Sequence, residues 1–325
     1  MPKKKSLTLQ RVLVLLLAYI MLAVCGGVAA SVLFVPGVVG ANKAAKAVIP
    51  SLKVENVDFD VTSLPQKSTM YARDGSTVIA TFYNQNRIVV PLKKISKTMQ
   101  QAVVAREDRR FWTHAGVDVQ GVMRAFVQTY LVKGSQQGGS SLTQQYVKNV
   151  LLMQAIEDDD SIAQYHATED TIARKIREML ISVQMEKKYS KAEILQGYLN
   201  IAQFGNNLYG VETAAQRYFS VSAADLNVVQ SATIAAITKN PSLYDPLVEE
   251  NQKESENQRN IVLKLMLQEG YITQDQYTEA VNTPLKDTLK VQDVNVGCQD
   301  TGDYAYFCDF VVHRIQNSEE FGKTR

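Results

Sequence analysis

Cysteine, histidine and tryptophan are scarce in this chain, and neither sign of charge dominates. Its 325 residues hold three cysteines, three histidines and one tryptophan, with 35 Lys and Arg against 33 Asp and Glu for a net charge of +2. So small a surplus excludes a basic nucleic-acid face. It is also confined to the first 42 residues, where Lys3, Lys4, Lys5 and Arg11 meet no acid, leaving 31 basic against 33 acidic side chains in residues 43–325. His114, His166 and His313 lie far apart in sequence and far from the cysteines, so no zinc-site spacing exists. Internal repeats and low-complexity segments are absent as well. With 46% hydrophobic and 21% charged residues, the chain can bury a core and is not a disordered polymer. At ~150 residues per domain, its length suits two domains or one large domain with appendages.

What is present begins with an apolar run. Residues 12–35 are 24 residues without a charge, and the next charge is Lys43. A helix of that length measures about 36 Å, enough to cross a hydrocarbon layer of about 30 Å. A cleaved signal peptide, the alternative, carries a shorter apolar stretch of about 7–15 residues. The reading is a transmembrane anchor at 12–35 behind a basic cytoplasmic tail at 1–11, with the rest of the chain outside. An exported location permits Cys298 and Cys308, with nine residues between them, to form a local disulfide contributing about 2–3 kcal/mol. Two buried free thiols are the alternative.

Residues 36–65 read as a juxtamembrane linker, with a short helix over 41–51 that stops at Pro50. Thr69–Ala72 and Thr77–Phe82 flank Arg73-Asp-Gly-Ser76, a hairpin signal. From about residue 96 the pattern turns helical: Ile172, Ile176, Met179 and Val183 form one stripe. Ser190 followed by Glu193 marks a capped start, 225–238 and 258–269 continue the theme, and Gly270 is a stop. Residues 134–141 and 154–167 read as loops, the second carrying Glu157-Asp-Asp-Asp160 on a solvated surface.

Three polar clusters stand out. In Arg106-Glu-Asp-Arg-Arg-Phe-Trp-Thr-His-Ala-Gly116, a carboxylate beside aromatic rings would lose hydration, which suits it to exchange a proton. Phe111 and Trp112 are candidates for that wall, and a surface ion-pair network is the plainer reading. Gly138-Gly-Ser-Ser-Leu-Thr-Gln-Gln-Tyr-Val-Lys-Asn149 offers a flexible loop entering a helix, with many donors and one cation. It lacks the Gly-Lys-Ser/Thr of a nucleotide P-loop. Arg174-Lys-Ile-Arg-Glu178 surrounds one carboxylate with three cations, a pattern fit for a phosphate or for an ordinary helix salt bridge.

Taken in order, the clusters resemble the peptidoglycan glycosyltransferase domain (glycosyltransferase family 51) of class A bifunctional penicillin-binding proteins. Glu-Asp-x-x-Phe-x-x-His-x-Gly is complete at 107–116 and continues to Asp118, Gly121, Arg124 and Ala125. Gly-Gly-Ser-Thr-Ile-Thr-Gln-Gln appears with Ser141 and Leu142 as replacements, and Arg-Lys-x-x-Glu is complete at 174–178. Ile194-Leu-Gln-Gly-Tyr-Leu-Asn200, Gly205, Gly210, Ala214-Ala215, Tyr218-Phe219, Asn240-Pro241 and Tyr244-Asp-Pro246 follow. The family often has Glu where this chain has Gln196 and Gln230, and the acidic insert at 154–170 separates the second and third motifs.

The resemblance implies a mainly α, lysozyme-like glycosyltransferase domain over 66–285 with a small β appendage and an N-terminal transmembrane helix. Residues 286–325 would begin a linker toward a transpeptidase domain, whose Ser-x-x-Lys and Lys-Thr-Gly motifs do not occur here. The implied reaction polymerises lipid II into β-1,4 glycan with inversion and releases undecaprenyl diphosphate, at the outer face of a bacterial cytoplasmic membrane. The carried-over base is Glu107, with Glu178 organising the leaving-group side. Asp108, Phe111, Arg124, Gly139, Ser140, Gln144, Gln145, Lys148, Arg174, Lys175 and Asn200 would bind substrate. A divalent cation (Mg2+ or Mn2+) is admitted at Glu178. Moenomycin-type inhibitors and cell-wall synthesis proteins are implied partners. A lysozyme-like glycan-cleaving enzyme and an inactive cell-wall scaffold are the rival readings. The apolar circumference of 117–132 suits either an interfacial helix or core packing.

Overall fold

The computed structural model describes residues 59, 64–83, 85–127, 139–292, 296–298 and 301–321. The expected basic tail at 1–11, anchor at 12–35 and juxtamembrane helix at 41–51 lie outside the described residues, as do most of the 36–65 linker and the glycine-rich 134–138. The described residues of 57–170 and 178–325 form one compact unit, of which Thr171–Arg177 are not part. Among the described residues no helix is long and apolar enough to cross a membrane.

Helices dominate. In chain order they are α1 (Lys97–Glu107), α2 (Val119–Phe126), α3 (Leu142–Glu157), α4 (Ser161–Thr168), α5 (Ile172–Lys188) and α6 (Lys191–Ile201). Then come α7 (Val211–Phe219), α8 (Val228–Ile237), α9 (Gln252–Gln268), α10 (Gln274–Asn282), α11 (Leu285–Thr288) and α12 (Ala305–Gln316). Ser141–Gln144, Ser190–Glu193, Asn227–Gln230 and Thr273–Gln276 form reciprocal capping boxes that open α3, α6, α8 and α10. Each N-cap side chain stabilises its helix by about 0.5–2 kcal/mol. Residues 231–237 of α8 are all buried, and this helix packs against α1 and α9. Met99, Ala102, Val103, Val104 and Ala105 of α1 are buried too, so the helix that ends in Glu107 is anchored along most of its length. The helix α3 packs against α4 and α6.

Strands are few. The hairpin expected around Arg73–Ser76 is present as β1 (Ser68–Tyr71) antiparallel to β2 (Val78–Phe82). Gly75 takes φ +70° in its turn, and Asp74 accepts the Ser76 and Thr77 N–H groups at 2.9 Å each. A second sheet has the order β3 (Asn86–Arg87), β5 (Leu208–Tyr209), β4 (Gln203–Gly205), with β3 parallel and β4 antiparallel to β5. Its strands are too short for alternation to show in sequence. Cys298 and Cys308 are disulfide-bonded with Cα atoms 5.5 Å apart, and Cys308 packs on Ile79 and Ala80 of β2.

One expectation is corrected. Residues 154–167 are mostly helical: α3 continues to Glu157, and Asp160 caps α4 by accepting the Ile162 and Ala163 N–H groups. Only 158–160 turn, with Asp159 at φ +53°. The stripe of Ile172, Ile176, Met179 and Val183 lies on a helix as expected, α5, though other residues of α5 are more deeply buried. Glu178, Ile181, Ser182 and Met185 are buried, whereas Ile172 is 75% exposed.

Candidate active site

The first motif straddles a helix end. Glu107 is the last residue of α1, and Asp108 leaves helical geometry at φ −159°, ψ 84°. Adjacent carboxylates therefore point into different surroundings. Glu107 stays partly exposed. Its Oε2 accepts from Gln145 Nε2 of α3 at 2.7 Å, and its Oε1 accepts from Thr238 Oγ1 at the end of α8 at 2.6 Å. Tyr198 of α6 donates to Gln145 Oε1 at 3.3 Å. That bond accepts at the amide oxygen, so the amide N–H faces the carboxylate. Burial, followed by the charge of Glu107, pushes the Tyr198 hydroxyl well above its usual pKa, so it remains a donor.

Asp108 turns inward, with a side chain only 2% exposed. Its Oδ2 lies 2.8 Å from His114 Nε2 and accepts the Leu142 N–H at 2.9 Å, where α3 begins. Lys191 Nζ stands 3.4 Å from His114 Nδ1, and Glu186 Oε1 lies 3.8 Å from the same nitrogen. Lys191 also binds Glu186 at 2.7–2.8 Å, and Glu186 Oε1 accepts from Thr143 Oγ1 at 2.6 Å. The same ammonium lies 4.6 Å over the Phe111 ring. This latch ties the first motif to the starts of α3 and α6 and the end of α5. Gly116 completes it: its φ is +88°, its carbonyl accepts from Ser141 Oγ at 2.6 Å, and an added Cβ would lie 2.7 Å from the Ser182 and Val183 backbone.

The expected substrate residues separate accordingly. Gln145 is bonded to Glu107, and the partly buried Lys148 lies one turn farther along α3, while Ser140 and Arg124 are exposed and Gly139 is partly so. Gln144 is buried in the α3 capping box, and Phe111 is wholly buried beneath Lys191 instead of forming an open wall. Asn200 is buried as well. Its Oδ1 accepts the Val90 N–H at 2.9 Å, and its Nδ2 donates to the Val90 and Gln196 carbonyls at 2.9 and 2.8 Å. Phe111, Gln144 and Asn200 are thus buried, with Gln144 and Asn200 held by internal bonds. Arg174 and Lys175 lie on the opening turns of α5, and Glu178 farther along it is 4% exposed.

Arg110 clamps Asp118 with bonds of 3.0 and 2.6 Å, and Asp118 caps α2 through the Gly121 N–H. Burial opposes the charge on Asp118, but the Arg110 and Gly121 bonds outweigh it and hold the carboxyl below its usual range. The outer face of α2 leaves Val119, Met123 and Val127 exposed, so core packing does not account for them. Thr238, Glu186 and Lys191 carried no signal as site residues in the sequence, whereas Thr143 stands within the second motif. Thr238 is 131 positions from Glu107, and Lys191 reads only as the first residue of a capped helix. Among the described residues, no three His, Cys, Asp or Glu side chains are gathered to hold a metal ion.

Residues 75–267 match the Transglycosylase family, more than half of the chain, and the chain belongs to that family. Among its curated relatives is Penicillin-binding protein 4 of Bacillus subtilis, 37% identical over 272 residues, which are 83% of this chain and 40% of that protein. Penicillin-binding protein 1A of Aquifex aeolicus is 39% identical over 221 residues, covering 68% of this chain and 28% of its own length. Penicillin-binding protein 1A/1B of Bacillus subtilis is 33% identical over 290 residues, covering 89% and 30% respectively. This chain thus spans 28–40% of the length of these relatives.

Proposed function

We propose that this chain is a membrane-anchored peptidoglycan glycosyltransferase that polymerises lipid II and releases undecaprenyl diphosphate. The observation that carries the proposal is the setting of Glu107. Neutral donors hold both of its oxygens, and among the described residues no cation is paired with it. Such a carboxylate is oriented without being neutralised, as a general base requires. It takes the proton of the acceptor sugar's 4-hydroxyl while that oxygen bonds to the donor's anomeric carbon. The bond from that carbon to the diphosphate oxygen breaks on the opposite face, and the electron pair leaves with the diphosphate. Inversion yields the β-1,4 link.

Lys148, Arg174 and Lys175 supply charge for the departing diphosphate, with Glu178 ordering that side. Ser140, Gly139 and Arg124 meet sugar and phosphate oxygens. Asp108 acts by fixing the direction of Glu107 and the start of α3, which its inward bonds support. A divalent cation, where one is used, would be held through the Glu178 carboxylate and would supply charge for the diphosphate. The anchor at 12–35 and the exposed Val119, Met123 and Val127 keep the site at the bilayer that holds its lipid-linked substrate. Residues 1–11 remain in the cytoplasm, and the catalytic domain over 66–285 lies outside.

Purified protein in detergent with labelled lipid II is expected to give a glycan ladder on a gel and to release undecaprenyl diphosphate. Glu107→Gln abolishes the ladder. A product without diphosphate would instead indicate glycan cleavage, and no turnover with intact lipid II binding would indicate a scaffold.

A further inference from the structure

One side chain at the candidate base belongs to none of the recognised motif clusters. Thr238 caps the end of α8, and its Oγ1 is within hydrogen-bond distance of two acceptors, Glu107 Oε1 at 2.6 Å and the Ala235 carbonyl at 2.8 Å. A hydroxyl has a single hydrogen and can serve only one of them at a time. We propose that Thr238 is a positioning residue for Glu107, a hydroxyl rotor that satisfies the carboxylate before proton transfer and the carboxylic acid after it. This inference rests on the proposed role of Glu107 as base.

With Glu107 ionised, the Thr238 hydrogen points at Oε1 in a charge-assisted bond, the shorter of its two contacts. Once Glu107 carries a proton on Oε1, the Thr238 hydrogen turns to the Ala235 carbonyl, and a lone pair on Oγ1 accepts from the new acid. Neither heavy atom has to move. Gln145 cannot make that exchange, because the group it presents to Oε2 is an amide that only donates. Its direction is fixed from behind by the buried Tyr198. The Gln145 side therefore favours an unprotonated Oε2 and leaves Oε1, on the Thr238 side, as the oxygen able to hold the proton. A donor already aimed at the place where charge is lost or gained needs no reorganisation at the moment of reaction.

A hydroxyl that only completes the last turn of α8 would affect melting and leave turnover alone. The test therefore measures kcat, KM and the thermal midpoint for Thr238→Val, which keeps the shape without the hydroxyl, and for Thr238→Ser, which restores it. Loss of one charge-assisted bond to the reacting carboxylate predicts a kcat roughly 10- to 100-fold lower in Thr238→Val. KM should stay within about twofold, and Thr238→Ser should return to within about threefold of wild type. Wild-type kcat in Thr238→Val, or equal impairment of the Ser and Val variants, overturns the proposal. If Thr238→Val fails to fold, Thr238→Ala is compared with Thr238→Ser, and equal rates overturn it. An inactive wild-type protein would instead refute the glycosyltransferase reading, so the two failures are distinct.

Discussion

Glu107 and Asp108 are neighbours in the chain, yet they occupy opposite kinds of surroundings. Glu107 is partly open and touched by neutral donors. Asp108 is sealed against His114 and a backbone N–H, within a network that extends through Lys191 and Glu186 to Thr143. The cause is local: α1 ends between them, and the extended backbone of Asp108 turns its side chain away from the helix axis. A motif of two adjacent acids thus divides its work. A reactive carboxylate needs a vacant side, whereas a buried one must have its charge matched, since an uncompensated buried charge costs several kcal/mol. The latch holds the α3 segment that carries Gln145, so the buried acid supports the open one.

The largest effect that would sharpen this division is on rate. Glu107→Gln keeps the shape and loses the base, so polymerisation should fall by roughly 10²- to 10⁴-fold with the melting temperature nearly unchanged. Asp108→Ala should act first on stability, and on rate only through the position of Glu107. It removes the acceptor of His114 and of the Leu142 N–H and should cost about 3 kcal/mol, lowering the melting midpoint by roughly 6–12 °C in a domain of this size. Calorimetry beside the gel assay separates them. If Asp108→Asn lost as much turnover as Glu107→Gln while melting like wild type, Asp108 would touch the reacting atoms and the contrast would collapse.

How much of this could be read from the sequence depended on whether the signal was local. The capping boxes at Ser190 and the turn at Arg73–Ser76 are spelled within four residues, and both were legible. The acidic run at 157–160 misled because aspartates suit both solvated loops and N-caps, and here Asp160 caps a helix. The β4 and β5 strands were too short to show a period. Within the site, the motif order pointed to Glu107 and Gln145. It could not tell an open position from a sealed one: Phe111, Gln144 and Asn200 are polar or aromatic motif positions that prove to be buried. Thr238 and Lys191 reach the site only through tertiary packing, from 131 and 77 positions away from Glu107 and His114 respectively.

A smaller perturbation probes the far end of the latch. Lys191→Met retains the stem that packs on Phe111 and removes the charge from Glu186 and His114. Lys191 is 20% exposed, so water can replace part of its role. A loss of about 1–2 kcal/mol is expected, read as a lower unfolding midpoint in urea. Turnover at a temperature where the variant is folded should remain within about threefold. A rate loss approaching that of Glu107→Gln in fully folded protein would show that the latch sets the chemistry directly.

The smallest expected effect on the site comes from the Cys298–Cys308 bridge, which pins α12 to β2 and has no bond to Glu107 or to the latch among the described residues. Closing so short a loop contributes about 2–3 kcal/mol at most. Because only Cys308 of α12 is buried, that contribution should be felt locally. The paired change Cys298→Ser with Cys308→Ser should therefore speed amide exchange in α12 and β2, while α1, α3 and α8 keep their protection and polymerisation keeps its rate. Faster exchange at Glu107 or Thr238 in that variant would mean that the hairpin end and the carboxylate belong to one cooperative unit. The division between a supporting network and an open base would then have to extend to the whole chain. Unchanged exchange there confines that division to α1, α3, α6 and α8 and the segments that join them.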